Sequence, residues 1–290
     1  MKQTHRQIIN NKNKFAKFAG EVYQIWISEK PAQFAAGLAY YAVFSFVPVI
    51  YLVFTISDLI FARLSVSSWF YGEVRTLLGD EVASYIQNGV TILAERTSGD
   101  TTLASLIGIV AFLLSASLIF TQLQHALNSI WHVPPPSKGA TRAAIRNRIL
   151  AFIMLLGVSL LLILAAVVNF VISVAMAHFK LSLVVTIFGI ISLTGLATLS
   201  FLSIYKFLPN AQIAWKDVLP GAAVAGLSIT ILIQLLGSYL GATRFSSAIE
   251  AAGAMAVLLI GFYLLGQIFV LGAVLTRVFA ALYGSGISPR

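Results

Sequence analysis

FAAGLAYYAVFSFVPVIYLVF, residues 34–54, holds no charged side chain. A helix crosses a bilayer with about 20 mostly apolar residues, and this run supplies them. It also contains Tyr40, Tyr41, Ser45 and Pro48, none of which a plain anchor requires. At 1.5 Å per residue, Pro48 lies roughly 16 Å along the helix from Gly37, close to mid-membrane. Proline has no N–H, so the carbonyl of Phe44 loses its helical partner. In hydrocarbon that oxygen must be satisfied by a neighbouring helix, a side chain or water, and Ser45 is near enough to contribute. The kink therefore belongs on the inside of a bundle. Two roles fit it: a packed structural bend, or a hinge or solute-lining position. Tyr40 and Tyr41 sit towards the start of the span, where interfacial aromatic belts form; contact with a ligand is the other reading.

The rest of the chain repeats the pattern. Of 290 residues, 59% are hydrophobic and 10% charged, whereas soluble domains carry about a quarter charged residues. Six runs are long and apolar enough to span: 37–60, 103–130, 149–177, 181–205, 218–241 and 251–282. None has Asp, Glu, Lys or Arg in its central part. The first 30 residues are polar and basic, without the short apolar core and small-residue cleavage site of a signal peptide. The first span is thus expected to act as an uncleaved targeting signal. The expected fold is all-α and polytopic: an amphipathic segment over 1–36, a six-helix membrane domain over 37–283 with an outer helical loop at 61–102, and a tail over 284–290. PPPSKG, residues 134–139, reads as a stiff linker inside that one domain.

Charge orients the chain. Lys2, Arg6, Lys12, Lys14, Lys17, Lys30, Lys138, Arg142, Arg146, Arg148, Lys206, Lys216, Arg277 and Arg290 would share one side. Arg63, Arg75, Arg96, Lys180 and Arg244 would share the other. Lys and Arg collect on the cytoplasmic side, so both termini are expected in the cytoplasm. The net charge of +9 then reports topology, and nucleic acid is not an expected partner.

Two stretches read as amphipathic. Phe15, Phe18, Val22, Tyr23 and Trp26 recur at helical spacing beside Lys12, Lys14 and Lys17, the pattern of a helix lying on the inner membrane surface. Such a helix favours anionic headgroups. In the outer connection the apolar positions suggest two short helices broken at Gly79, with Asp80 as N-cap.

The second span ends in TQLQHALNSIW, residues 121–131. At 100° per residue, Thr121, Gln122, Gln124, His125, Asn128 and Ser129 fall within about 160° of arc. Interhelical hydrogen bonding explains such a stripe, and so does the vestibule of a pathway. Asn169, Gln234, Tyr263 and Gln267 are further polar residues inside spans, open to the same two readings. Gly237 and Gly241 form a small-residue contact motif, with Gly221 and Ala225 a looser version. The last span is Gly-rich, which permits close packing or bending. Arg277, near its end, reads as an anchor reaching to the inner headgroups.

Absences narrow the function. No intramembrane carboxylate offers a proton or sodium relay. There is no P-loop, no HExxH and no GxSxG. Cys is absent, and Glu21, Glu29 and Asp217 are too few for a two-metal nuclease centre. The sequence calls for no cofactor and no enzyme activity.

Four segments, FAAGLAYYAVFSFVP, LQHALNSIWHV, YKFLPNAQIAWKDVLPGAAVAG and LGAVLTRVFA, resemble the YihY/BrkB family of bacterial inner-membrane proteins over roughly residues 20–283. The resemblance implies a six-helix cytoplasmic-membrane protein, with links to lipid handling and transport and older ribonuclease and virulence labels. Where the family commonly carries an acid in GAEFTRV, this chain has Val274; Thr276 and Arg277 match. The expected function is a transporter or lipid-handling protein, with membrane lipids as partners and a homo-oligomer open. A non-transporting envelope scaffold is the alternative.

Overall fold

The computed structural model describes residues 16–60, 66–78, 80–97, 118–134, 153, 157, 182–242 and 250–289. These residues are helical apart from turns and one short strand pair. The helices are α1 (16–28), α2 (Pro31–Ile60), α3 (Val66–Leu78), α4 (Asp80–Thr97), α5 (118–130), α6 (Ser182–Phe207), α7 (Trp215–Ala242) and α8 (Glu250–Leu282). Among the described residues four stretches are long and apolar enough to cross a membrane: Pro31–Tyr51, Ile187–Phe207, Trp215–Leu235 and Ala256–Leu282. Of the other two expected spans, 103–130 is described only over α5, and 149–177 lies outside the described residues apart from position 153 and position 157.

Helix α2 begins earlier than its apolar run. Pro31 opens it, and a proline at the first helical position loses no hydrogen bond that a helix would have made. Lys30 before it takes a left-handed φ of 47°, which breaks α1 from α2. Pro48 lies inside α2, and the helix continues past it. The outer connection folds as two helices on either side of Gly79. Asp80 starts the second and pairs with Arg75 at 2.6 Å.

Helix α2 packs along α8, α8 along α7, and α7 along α6; α3 and α4 pair with each other and close over α2, α7 and α8. One end of this bundle carries Lys17, Lys30, Lys206, Lys216 and Arg277, and is called the basic end below; α3 and α4 lie at the other. Among the described residues the interior holds two apolar clusters, and Val49 of α2 packs against both. The larger, at the basic end, includes Leu38, Leu127, Ile130, Tyr205, Val218, Val270 and Val274. The smaller joins Ile50 and Phe54 of α2 to Val74, Val82, Ile86 and Leu258. On α7, Leu219, Val224, Leu227, Ile231 and Leu235 form an exposed apolar stripe at helical spacing, as on a helix face turned to lipid.

Small residues bring the helices together. A Cβ on Gly221 of α7 would run into the Thr276 hydroxyl and the Gly272 carbonyl of α8. One on Gly266 would lie 2.9 Å from the Ala35 Cα of α2. The Gly221–Ala225 pair thus makes the contact its spacing suggests, since Ala225 faces Gly272. Gly237 and Gly241 lie in the last turns of α7, and their surroundings fall outside the described residues.

Two features add to the sequence reading. On α1, Phe18, Val22, Ile25 and Trp26 pack against the larger cluster, while Tyr23 and Ile27 stay exposed. The apolar face of α1 is thus turned largely onto the bundle. The chain end is not a free tail. Ser288 and Pro289 pair antiparallel with Gln212 and Ala211, strand β2 against β1, and buried Asp217 accepts hydrogen bonds from the Ser285 N–H and hydroxyl, both at 2.9 Å.

Candidate functional site

Helices α1, α5 and α8 meet near their C-terminal ends, at the basic end of the bundle. Helix α5 stops in a Schellman turn: the Val133 N–H donates to the Asn128 carbonyl at 2.8 Å, and the His132 N–H to that of Ser129 at 3.0 Å. The left-handed position of this turn usually holds glycine, yet here His132 occupies it, at φ 53°. The turn leaves the Ile130 carbonyl without a helical partner, and the Arg277 guanidinium of α8 donates to it. Arg277 also donates to Glu29, the residue just after α1, at 3.0 Å. The His132 ring bridges the pair, with Nε2 at 2.8 Å from Glu29 Oε1 and Nδ1 at 3.2 Å from Arg277 Nη2. The neutral ring that suits this geometry donates from Nε2 and accepts at Nδ1. One carboxylate thereby ties α1, α5 and α8 together.

The expectation for Arg277 was an anchor at the headgroups. In the structure its side chain is only 24% exposed, and its donors are turned inward to Glu29, His132 and Ile130. Neither Glu29 nor His132 stood out in the sequence: the partners are 103 positions apart, and no local pattern joins them.

The polar stripe of α5 divides. Gln124 is buried and donates to the Leu208 carbonyl at 2.6 Å. Asn128 accepts from the Asn210 N–H at 2.9 Å. Both thus satisfy backbone groups around the α6–α7 turn. The Gln122 amide lies against Gly37, where an added Cβ would come within 3.0 Å of it. Thr121 and His125 are exposed. Next to the stripe, Trp131 donates to the Ala273 carbonyl at 3.0 Å, and buried Tyr205 to that of Phe269 at 2.7 Å. Val274, the residue after Ala273, is fully buried. An acid at that position would face the full cost of desolvation.

A second set of polar residues lies on the adjacent helices α2 and α8. On α2, Ser45 is buried, and Pro48 is one turn further along. On α8, Gln267 donates to the Tyr263 hydroxyl at 2.9 Å. Gln267 follows Gly266, which abuts Ala35 in the first turns of α2, so it lies nearer the basic end than Ser45 and Pro48. Phe46 and Phe262, with ring centroids 5.1 Å apart, hold the two helices together and pack on the smaller cluster. Tyr40 is exposed and meets Tyr41 edge to face and Phe44 at a tilt. Gln234 is exposed on α7, and Asn169 lies outside the described residues.

Between α6 and α7 the Thr194 and Thr230 hydroxyls meet at 3.0 Å, and Gly226 abuts Thr198. These contacts escaped the sequence reading. The signal was present in two pairs of small residues four apart, Thr194 with Thr198 and Gly226 with Thr230. Among the described residues no three His, Asp or Glu side chains gather where a metal ion could sit.

A family model described as virulence factor BrkB matches residues 22–287. Among curated proteins the chain is similar to a UPF0761 membrane protein of Pseudomonas aeruginosa strain LESB58, 25% identical over 277 residues, covering 93% of this chain and 64% of the relative. A UPF0761 membrane protein of Psychrobacter is 24% identical over 285 residues, covering 91% of this chain and 48% of the relative. The chain therefore spans less than two thirds of the length of these relatives. No solved structure matches.

Proposed function

The chain belongs to the virulence factor BrkB family, and from that premise we propose that it is a transporter or lipid-handling protein of the bacterial cytoplasmic membrane. The observation that carries this reading is buried Ser45 one turn before Pro48 inside the membrane helix α2. The adjacent helix α8 adds the hydrogen-bonded pair Tyr263 and Gln267. Transporters commonly place their sites near the midplane, on helices whose regular backbone is interrupted. Pro48 supplies such an interruption.

The basic end faces the cytoplasm in this proposal, in keeping with the distribution of Lys and Arg. Helix α5 ends at the basic end, whereas α6 begins at the opposite one. This supports an odd number of crossings between them and hence a bundle of six spans, with 149–177 as one of them. No cofactor and no enzymatic step are part of the proposal.

Purified protein in liposomes tests it. Fluorescent phospholipids and amphiphiles should cross the bilayer faster than in empty vesicles, and Pro48→Ala and Gln267→Leu should alter the rate while the protein stays folded. Failure of a broad panel to move would overturn the reading. Recovery of a stoichiometric envelope partner, with Pro48→Ala behaving as wild type, would favour a scaffold instead.

A further inference from the structure

A groove of about 360 Å³ runs between α1 and α8, within the size range of ligand sites. Phe18, Val22 and Trp26 of α1 face Leu271 and Leu275 of α8 across it, and Ala19 and Tyr23 complete the wall. None of these side chains is charged. Leu271 and Leu275 lie within the Ala256–Leu282 span, so the groove runs beside a membrane helix. We propose that it holds one acyl chain of an anionic glycerophospholipid.

The argument for the chain is solvation. A groove with apolar walls gains nothing from water, and each methylene it removes from water contributes about 0.8 kcal/mol. A flexible alkyl chain suits a long, shallow slot better than a compact solute does. The argument for the headgroup is charge. Lys17 is exposed and immediately precedes Phe18 of the groove wall. Residues 1–20 carry Lys2, Arg6, Lys12, Lys14 and Lys17 and no acid; the first carboxylate on α1, Glu21, is half-buried one turn beyond Lys17. Tyr23 and Trp26 add aromatic rings with polar edges, the side chains that favour the level of the headgroups. Arg277 is turned away to Glu29, His132 and the Ile130 carbonyl. The inference deepens the lipid-handling reading above, but its test measures binding rather than movement, so the two can fail separately.

The full chain in nanodiscs would be photolabelled with phosphatidylglycerol or phosphatidylcholine bearing a diazirine on the acyl chain, and the sites mapped by mass spectrometry. Phosphatidylglycerol should label residues 18–26 and 271–275 in preference to the other spans, and phosphatidylcholine should do so more weakly. Ala19→Phe, which fills the slot, should lower labelling there at least about tenfold, the effect of losing roughly two buried methylenes. Lys17→Glu, at an exposed position that leaves the packing intact, should abolish the preference between the two lipids. Equal labelling by both lipids in the wild type, labelling spread evenly over the spans, or labelling unchanged by Ala19→Phe would overturn the proposal. So would a crosslink showing a second copy of the chain in the groove.

Discussion

Glu29 and Arg277 stand 248 positions apart in the chain, and a carboxylate oxygen of the first accepts a 3.0 Å hydrogen bond from the guanidinium of the second. Both side chains are mostly withdrawn from solvent, 15% and 24% exposed. The pair is therefore screened less than a surface ion pair, and its loss should be felt. Arg277→Ala should lower stability by about 2 kcal/mol, because it leaves the Ile130 carbonyl without a donor and the partly buried Glu29 carboxylate with the His132 ring alone. Arg277→Lys should recover only part of this, since an ammonium lacks the second nitrogen that meets the His132 ring. Thermal unfolding in detergent, followed by size-exclusion chromatography, checks the order.

His132 offers a way to separate strain from bonding. A non-glycine residue in the left-handed region costs about 1 kcal/mol or more. His132→Ala keeps that cost and loses the contacts to Glu29 and Arg277. His132→Gly loses the same contacts but relieves the backbone. The glycine variant should thus be the more stable of the two by about 1 kcal/mol. Equal stability would show that the turn relaxes when the ring is removed.

Gly221 and Gly261 lie in neighbouring helices and should respond in opposite ways. A Cβ on Gly221 collides with the Thr276 hydroxyl and the Gly272 carbonyl, whereas one on Gly261 meets nothing within 4 Å. Gly221→Ala should destabilise by about 1–3 kcal/mol through overpacking. Gly261→Ala should be neutral or stabilising by up to about 1 kcal/mol through helix propensity. Thr276 carries a buried hydroxyl with no hydrogen-bond partner among the described residues. Thr276→Val keeps its shape and removes the orphan, so it should not destabilise.

Asp217 holds the chain end through the Ser285 N–H and hydroxyl. Hydrogen bonds to a charged group contribute about 1.5–3 kcal/mol each. Asp217→Ala should therefore free residues 284–289 without unfolding the bundle. Gly284→Ala should act alike, since its methyl would press on the carboxylate. Limited proteolysis and hydrogen exchange at the C-terminal peptide provide the readout, with the Gln124–Leu208 region as an unchanged control.

The helices were legible because lipid imposes one simple rule: every backbone group must bond within its own segment, so length and apolarity alone mark α2, α6, α7 and α8. The break at Gly79 was legible for a local reason, a flexible residue followed by an acid suited to a helix start. The inward face of the α5 stripe could be seen, but not its division. Gln124 and Asn128 were indistinguishable in sequence from Thr121 and His125, because their partners are carbonyl and N–H groups of Leu208 and Asn210, and backbone groups leave no compositional trace. Arg277 was misleading for a similar reason. A cation near the end of a span reads as a headgroup anchor unless its acid is visible, and Glu29 belongs to a different amphipathic segment. Val274 showed only as a departure from a family pattern; burial explains why an alkyl side chain suits the site.

The pairing of Gln212 with Ser288 has a practical consequence. With the Glu29 bridge, it binds residues 16–30, the turn after α5, the α6–α7 connection and the last residues into one structural unit. These segments cannot be distributed between the two compartments. A reporter fused after Pro289 therefore reads the sidedness of all of them at once, and inverted insertion would have to carry the whole set across the bilayer together.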